Sequence, residues 1–147
     1  MTMQIVFFKL FLAALLGAII GHERESTLRS TGVAGIRTHT LVCIGACLVM
    51  LNGVFIFEMY HQLSTMDPTR LAAQVISGIG FLGAGQIIKE GNTVKGLTTA
   101  ASLWAVAAIG IAVASGFYSG ALMTTAIIFV VLKTVSIRYK SCEKEKA

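Results

Sequence analysis

Three groups of residues in this chain have types and spacings that chemistry could use. The densest is Arg70-Leu-Ala-Ala-Gln74-Val-Ile-Ser77-Gly78-Ile-Gly80-Phe-Leu-Gly83-Ala-Gly85, with four glycines in eight residues. Glycine in a helix interior costs roughly 1 kcal/mol relative to alanine, so such a run implies that the missing side chains serve something. One reading is close helix packing, because small residues let backbones approach in lipid; Gly17 with Gly21 and Gly116 with Gly120 have similar spacing. The other is a broken helix whose unwound carbonyls face a polar cavity, as in transporters, with Gln74 and Ser77 pointing to something polar inside.

The second group joins Gly21-His22-Glu23-Arg24-Glu25 to Gly35-Ile36-Arg37-Thr38-His39. Glu23, Arg24 and Arg37 border helix ends. They could form a solvated loop that orients the chain, an ion-pair latch, or a docking surface for a partner or anionic headgroups. Glu23, Glu25 and the histidines could also hold a divalent cation. Mg²⁺ takes only one or two carboxylates and keeps its waters, so it stays open as a ligand while no resident cofactor is expected. The third group is Gly96-Leu-Thr98-Thr99-Ala-Ala-Ser-Leu-Trp104. Here Thr98 or Thr99 can cap a helix, and Trp104, one to two turns further, is expected to pack inside. No Ser-His-Asp order, no useful Cys–His pair and no glycine-rich phosphate loop ending in Lys-Ser or Lys-Thr is present, so catalysis is not expected.

The elements that must position these residues follow from composition. Of 147 residues, 55% are hydrophobic and 13% charged, and the mean hydropathy is +0.78. A soluble fold of this size could not cover its surface with so few polar side chains. Composition therefore excludes an ordinary soluble enzyme, a disordered chain and a disulfide scaffold, and points to a membrane protein whose first partner is the lipid bilayer. The net charge of +5 sits in short gaps between apolar runs and not on one polar, aromatic face, which argues against nucleic acid. Cys43 and Cys47 lie in an apolar run and Cys142 in a basic tail, a pattern that supports neither a disulfide framework nor a metal quartet.

A bilayer core of about 30 Å needs roughly 20 apolar residues as helix. Runs near 3–21, 38–57 and 68–88 each meet that length. Between Lys95 and Lys133 lie 37 uncharged residues. As one helix these would stretch about 55 Å, so they must fold back once. The turn falls at Ser115-Gly-Phe-Tyr-Ser-Gly120, which splits the run into spans near 98–114 and 117–137. The first run holds Lys9 but lacks the basic leader and cleavage site of a signal peptide, so it reads as a retained span. The expected architecture is an all-α polytopic membrane protein: a five-helix transmembrane domain over 1–140 and a short charged tail over 141–147.

Lys and Arg counts orient it. One set of gaps carries Arg24, Arg29, Arg37, Lys89, Lys95, Arg138, Lys140, Lys144 and Lys146, and the other only Arg70, which places the N-terminus outside and the C-terminus inside. Asp67-Pro68 reads as the cap and first residue of the third helix, and Gly91-Asn92 as the turn after it. Lys9, inside the first span, should snorkel outward or pair with Glu58 or Asp67. Bulky replacements at Gly80 or Gly83 are expected to harm the protein more than one at Gly53.

The stretches Gly17-Ala-Ile-Ile-Gly21-His-Glu23-Arg24, Ala34-Gly35-Ile-Arg37-Thr38, Arg70 through Gly85 and Gly96 through Trp104 resemble, in order and over about 12–120, the MgtC/SapB family of bacterial inner-membrane proteins. The resemblance implies a multi-pass membrane domain in the bacterial cytoplasmic membrane, linked to adaptation at low magnesium and to intracellular survival. It implies regulation of ion balance, membrane potential or ATP synthase more than carriage of magnesium itself. Longer members carry a soluble C-terminal domain, which this chain is expected to lack. Two functions stay open. One is a membrane regulator acting through helix contacts with another membrane complex. The other is a small homo-oligomeric transporter or channel, a dimer or more, with the glycine-rich helix lining the path.

Overall fold

The computed structural model describes residues 2–27, 34–60 and 67–144, with side chains as far as Thr134 apart from that of Thr27. Backbone polar groups in an apolar medium must be satisfied within the segment, and the chain answers with helices. These are α1 (Met3–Thr27), α2 (Ile36–Tyr60), α3 (Thr69–Gln86), α4 (Leu97–Ser115) and α5 (Tyr118–Lys144). Among the described residues three helices are long and apolar enough to cross a membrane: α1 as far as Ser26, α2 and α4. The apolar part of α5, Tyr118–Thr134, is shorter.

The helices outrun the expected spans at most ends. α1 continues to Thr27, α2 covers Ile36–Tyr60, and α5 extends to Lys144, into the charged segment 141–147. Arg29 and Lys146, and the side chains of Arg138, Lys140 and Lys144, on which the charge map partly rests, lie outside the described residues, as does the side chain of Cys142.

α4 is the hub. Leu103, Val106, Ala107 and Val113 are completely buried, and α1, α2, α3 and α5 all pack on it. The main core joins Ile20 of α1, Cys43, Cys47 and Leu51 of α2, and Ile109 of α4. Small residues make these approaches possible. A Cβ on Gly17 would stand 2.8 Å from Cys43 Cβ, and one on Gly21 would stand 2.6 Å from Ile36 Cα. A Cβ on Gly110 would run into the Cys43 carbonyl. The Gly17–Gly21 pair is thus a packing seam between α1 and α2, and Cys43 and Cys47 are free, buried packing residues.

α3 behaves differently. It is one continuous helix, so the broken-helix expectation does not hold. Gly78, Gly80 and Gly85 have nothing within 4 Å of where a Cβ would stand, and only Gly83 of the four expected packing glycines meets a neighbour, the Ala100 Cβ at 3.7 Å. Its N-cap is Pro68, one residue later than expected and without a side-chain cap bond, while the Asp67 carboxylate just before it accepts the Thr69 N–H at 2.8 Å and the Thr69 hydroxyl at 2.7 Å.

α3 stops at Gln86 and not at 88, because residues 88–95 form a two-stranded hairpin. Strand β1 (Ile88–Glu90) pairs antiparallel with β2 (Thr93–Lys95), Ile88 opposite Lys95, around Gly91-Asn92 with Gly91 at φ +58°. Lys95 and Glu90 form an ion pair across it at 2.5 Å. This short hairpin is a small addition to an otherwise all-α architecture; three residues per strand carry too little alternation to announce themselves, whereas the turn was legible. α4 then begins after Gly96, at φ +86° and seated where any Cβ would collide with the Gln86 carbonyl. Neither Thr98 nor Thr99 is the cap, since both lie inside the helix.

Candidate functional site

Where the C-terminal ends of α1 and α3 meet the N-terminal ends of α2 and α4, polar side chains converge inside the bundle. Arg24, in the last turn of α1, is only 7% exposed. A cation is favoured there by the negative end of the helix dipole. Its Nη2 donates to Thr99 Oγ1 at 2.9 Å, across 75 residues of sequence, while its Nε has no acceptor. Thr99 is wholly buried in the first turn of α4. One turn on, the Ser102 hydroxyl reaches the Thr99 carbonyl at 2.8 Å and His39 Nε2 at 2.8 Å. His39 is also wholly buried, and its Nδ1 donates to the Gly35 carbonyl at 2.8 Å.

Donor counting constrains this chain of bonds. Ser102 has one hydroxyl hydrogen, which it can give to Thr99 or to a neutral His39 Nε2 but not to both. The cluster is a short hydrogen-bonded network linking α1, α4 and α2.

Two further bonds hold the same corner. Glu25 Oε2 accepts the Ile36 N–H at 3.0 Å and so caps α2 from the end of α1. A Cβ on Gly35 would stand 2.6 Å from that same carboxylate oxygen, so an added side chain would push the Glu25 carboxylate aside. Gln86 Oε1, from the last residue of α3, accepts the Ala34 N–H at 3.0 Å. Among the described residues no three His, Cys, Asp or Glu side chains converge to hold a metal ion.

Sequence, geometry and kinship now bear on one another. The model of the MgtC family matches residues 10–139, which takes in the whole corner and all of α3. The chain belongs to the MgtC family. It is 47% identical over 121 residues to Protein MgtC of Brucella abortus, covering 81% of this chain and 46% of that protein. It is 44% identical over 133 residues to an uncharacterized protein of Haemophilus influenzae, covering 88% and 55%. It is 41% identical over 128 residues to YhiD of Escherichia coli K12, whose name describes a candidate magnesium transporter, covering 83% and 58%. The chain spans about half the length of these relatives. No solved structure matches it. MgtC family membership and the apolar helices together make this a membrane protein.

Within this MgtC-family domain the sequence-derived site residues divide into three sets. Arg24 and Thr99 meet directly. Asp67 accepts from Thr69 at the start of α3, Gly83 packs on α4, and Glu23 lies half-buried beside Arg24. The rest face outward: Arg37, Arg70, Gln74, Ser77, Gly78, Gly80, Gly85 and Thr98 are exposed or half-buried at the surface. Trp104 is 51% exposed, which corrects its expected place in the interior. Ser102 and Gln86 are members of this corner that residue types alone did not mark, and His39, read from the sequence as a possible cation ligand, bonds Ser102 instead; each gains its role from a helix far away in sequence.

Proposed function

We propose that the chain is a non-enzymatic MgtC-type protein of the cytoplasmic membrane that crosses it five times, N-terminus outside, and regulates magnesium or wider ion homeostasis through contacts made by the outward face of α3. The observation that carries this reading is the composition of that face. Arg70, Gln74, Ser77 and Phe81 follow one another at spacings of four, three and four residues, and all reach the surface, Phe81 at 83% exposure. The open glycines Gly78 and Gly85 flank them. An amide and a hydroxyl turned towards lipid cost free energy unless a partner meets them. A stripe of this kind suits another membrane protein, such as the ATP synthase that the family resemblance brings in, or a second copy in a homodimer.

Magnesium enters through the relatives' names, and the family resemblance adds adaptation to low magnesium. The orientation is supported by the basic residues at the corner holding Arg24 and by the hairpin with Lys89 and Lys95, against Arg70 at the far end of α3. Transport is the second reading: in a homo-oligomer the same Gln74 and Ser77 could line a path between copies. Purified chain in liposomes separates the two. Regulation is expected to give no Mg²⁺ flux, while Phe81→Ala or Gly80→Leu abolishes support of growth at low magnesium with thermal stability unchanged. Flux that those variants block would replace the regulator by a transporter. Labelling of single cysteines at Thr93 and Ser119, in a background without the native cysteines, tests the topology, with only position 119 expected to react from outside.

A further inference from the structure

A groove of about 500 Å³ runs between α2 and α3 on the flank of the bundle, opening sideways. Its floor is open because two glycines, Gly45 of α2 and Gly78 of α3, have nothing within 4 Å of where a Cβ would stand. Its walls are almost wholly apolar, with Leu41 69% and Leu82 45% exposed. Polarity is confined to one end, where Arg37 and Thr38 form the mouth. Arg37 lies at the surface, and among the described residues no hydrogen bond or ion pair engages its guanidinium.

From these features we infer that the groove is a binding site for one anionic phospholipid, its acyl chain lying along Leu41, Gly45, Gly78 and Leu82 and its phosphate held by Arg37 and Thr38. The dimensions fit. From Arg37 to Gly45 is eight residues of helix, about 12 Å, close to the roughly 15 Å depth of one leaflet. The volume lies in the range of roughly 300–1,000 Å³ common to ligand sites. The charge fits as well. A guanidinium presents a planar fork of donors that matches phosphate oxygens, and basic pockets between spanning helices recurrently take anionic headgroups. A zwitterionic lipid brings its own ammonium to the same place and loses that advantage. A second protein helix would need to supply a partner for Arg37 at the mouth; a lipid supplies an anion and a flexible chain in one molecule.

This inference rests on the membrane reading and not on the regulatory role, so its test uses no growth phenotype. The full chain is purified in mild detergent and titrated with phosphatidylglycerol, with phosphatidylcholine of the same chains, and with glycerol phosphate. Thermal stability and retained lipid by native mass spectrometry are read for each. Phosphatidylglycerol is expected to be retained and stabilising, phosphatidylcholine bound about fivefold more weakly, and glycerol phosphate without effect. Arg37→Gln is expected to erase the preference between the two lipids. Gly45→Leu or Gly78→Leu, filling the groove from either helix, is expected to abolish retention of both; the pair guards against one variant failing to fold. Equal binding of both lipids by the parent, an effect of glycerol phosphate matching that of the lipid, or a preference surviving Arg37→Gln and both groove-filling variants would each overturn the site.

Discussion

The ammonium of Lys9 on α1 donates to the carbonyl of Ala114 on α4 at 2.6 Å. The C-terminal end of α4 shows why. The Phe117 N–H bonds the Ala112 carbonyl at 2.9 Å and the Gly116 N–H bonds that of Val113 at 3.2 Å, with Gly116 left-handed at φ +88°. This glycine-terminated cap satisfies two of the last carbonyls of the helix. The next one, Ala114, is served by a side chain from another helix, and its partner is a cation at the negative end of the dipole. In place of outward snorkelling or a pair with Glu58 or Asp67, the two alternatives the sequence offered, Lys9 finds a backbone acceptor that no charge pattern could have indicated.

Replacing Lys9 by Met should therefore leave the Ala114 carbonyl without its donor. The expected cost is about 1–3 kcal/mol, the range for an unsatisfied buried group. Lys9→Arg should recover most of it. Thermal unfolding in detergent measures both, and charge reversal at Glu58 should not rescue Lys9→Glu.

Arg24 and Thr99 should be energetically coupled. Thr99→Val removes the side-chain acceptor of a buried cation whose Nε is already unpartnered, with an expected loss of about 1.5–3 kcal/mol. Arg24→Met removes the charge together with its unmet need and should cost less. In the double variant the effect of Thr99→Val should shrink to a fraction of its value, which a double-mutant cycle on unfolding free energies reads directly.

The glycines should separate into two kinds. Gly21→Ala meets Ile36 Cα and is expected to destabilise by about 1–3 kcal/mol. Gly80→Ala meets nothing and should stabilise by about 0.5–1 kcal/mol through its helix propensity. Gly53, whose Cβ would stand 2.7 Å from the Pro68 carbonyl, should tolerate Leu worse than Gly80 does in unfolding measurements. That order reverses the sequence-based expectation for stability, while Gly80→Leu keeps its predicted effect on partner contact.

The Asp67–Thr69 contact at the start of α3 should titrate. Hydrogen bonds from the Thr69 hydroxyl and then the Thr69 N–H hold the Asp67 carboxyl below its ordinary value. A depressed carboxylate stabilises the folded form above its unfolded pKa of about 3.9 and loses that contribution as pH falls through the lower folded value. Protection of the first-turn amides of α3, with intrinsic exchange divided out, should therefore fall as pH drops below about 4, and in Asp67→Ala it should be low with no such dependence.

What could be read from the sequence were features set by nearest neighbours in the chain. Apolar runs of membrane length between basic gaps announced the helices, Asp67-Pro68 the start of α3, Gly91-Asn92 its following turn, and the stretch at Gly116 the fold-back. Each depends on residues a few positions apart and on the demand that an apolar medium places on the backbone. The tertiary structure alone decided which glycines are contacts. Gly17, Gly21 and Gly110 lie against a neighbour, whereas Gly78, Gly80 and Gly85 face open space, although sequence spacing presents both sets alike. It also decided that Arg24 lies inside with Thr99, that His39 and Ser102 join them, and that Lys9 finishes α4. These pairings span 63 to 105 positions. A donor's partner is settled by which helix ends arrive beside it, and that depends on how the faces of all five helices pack together.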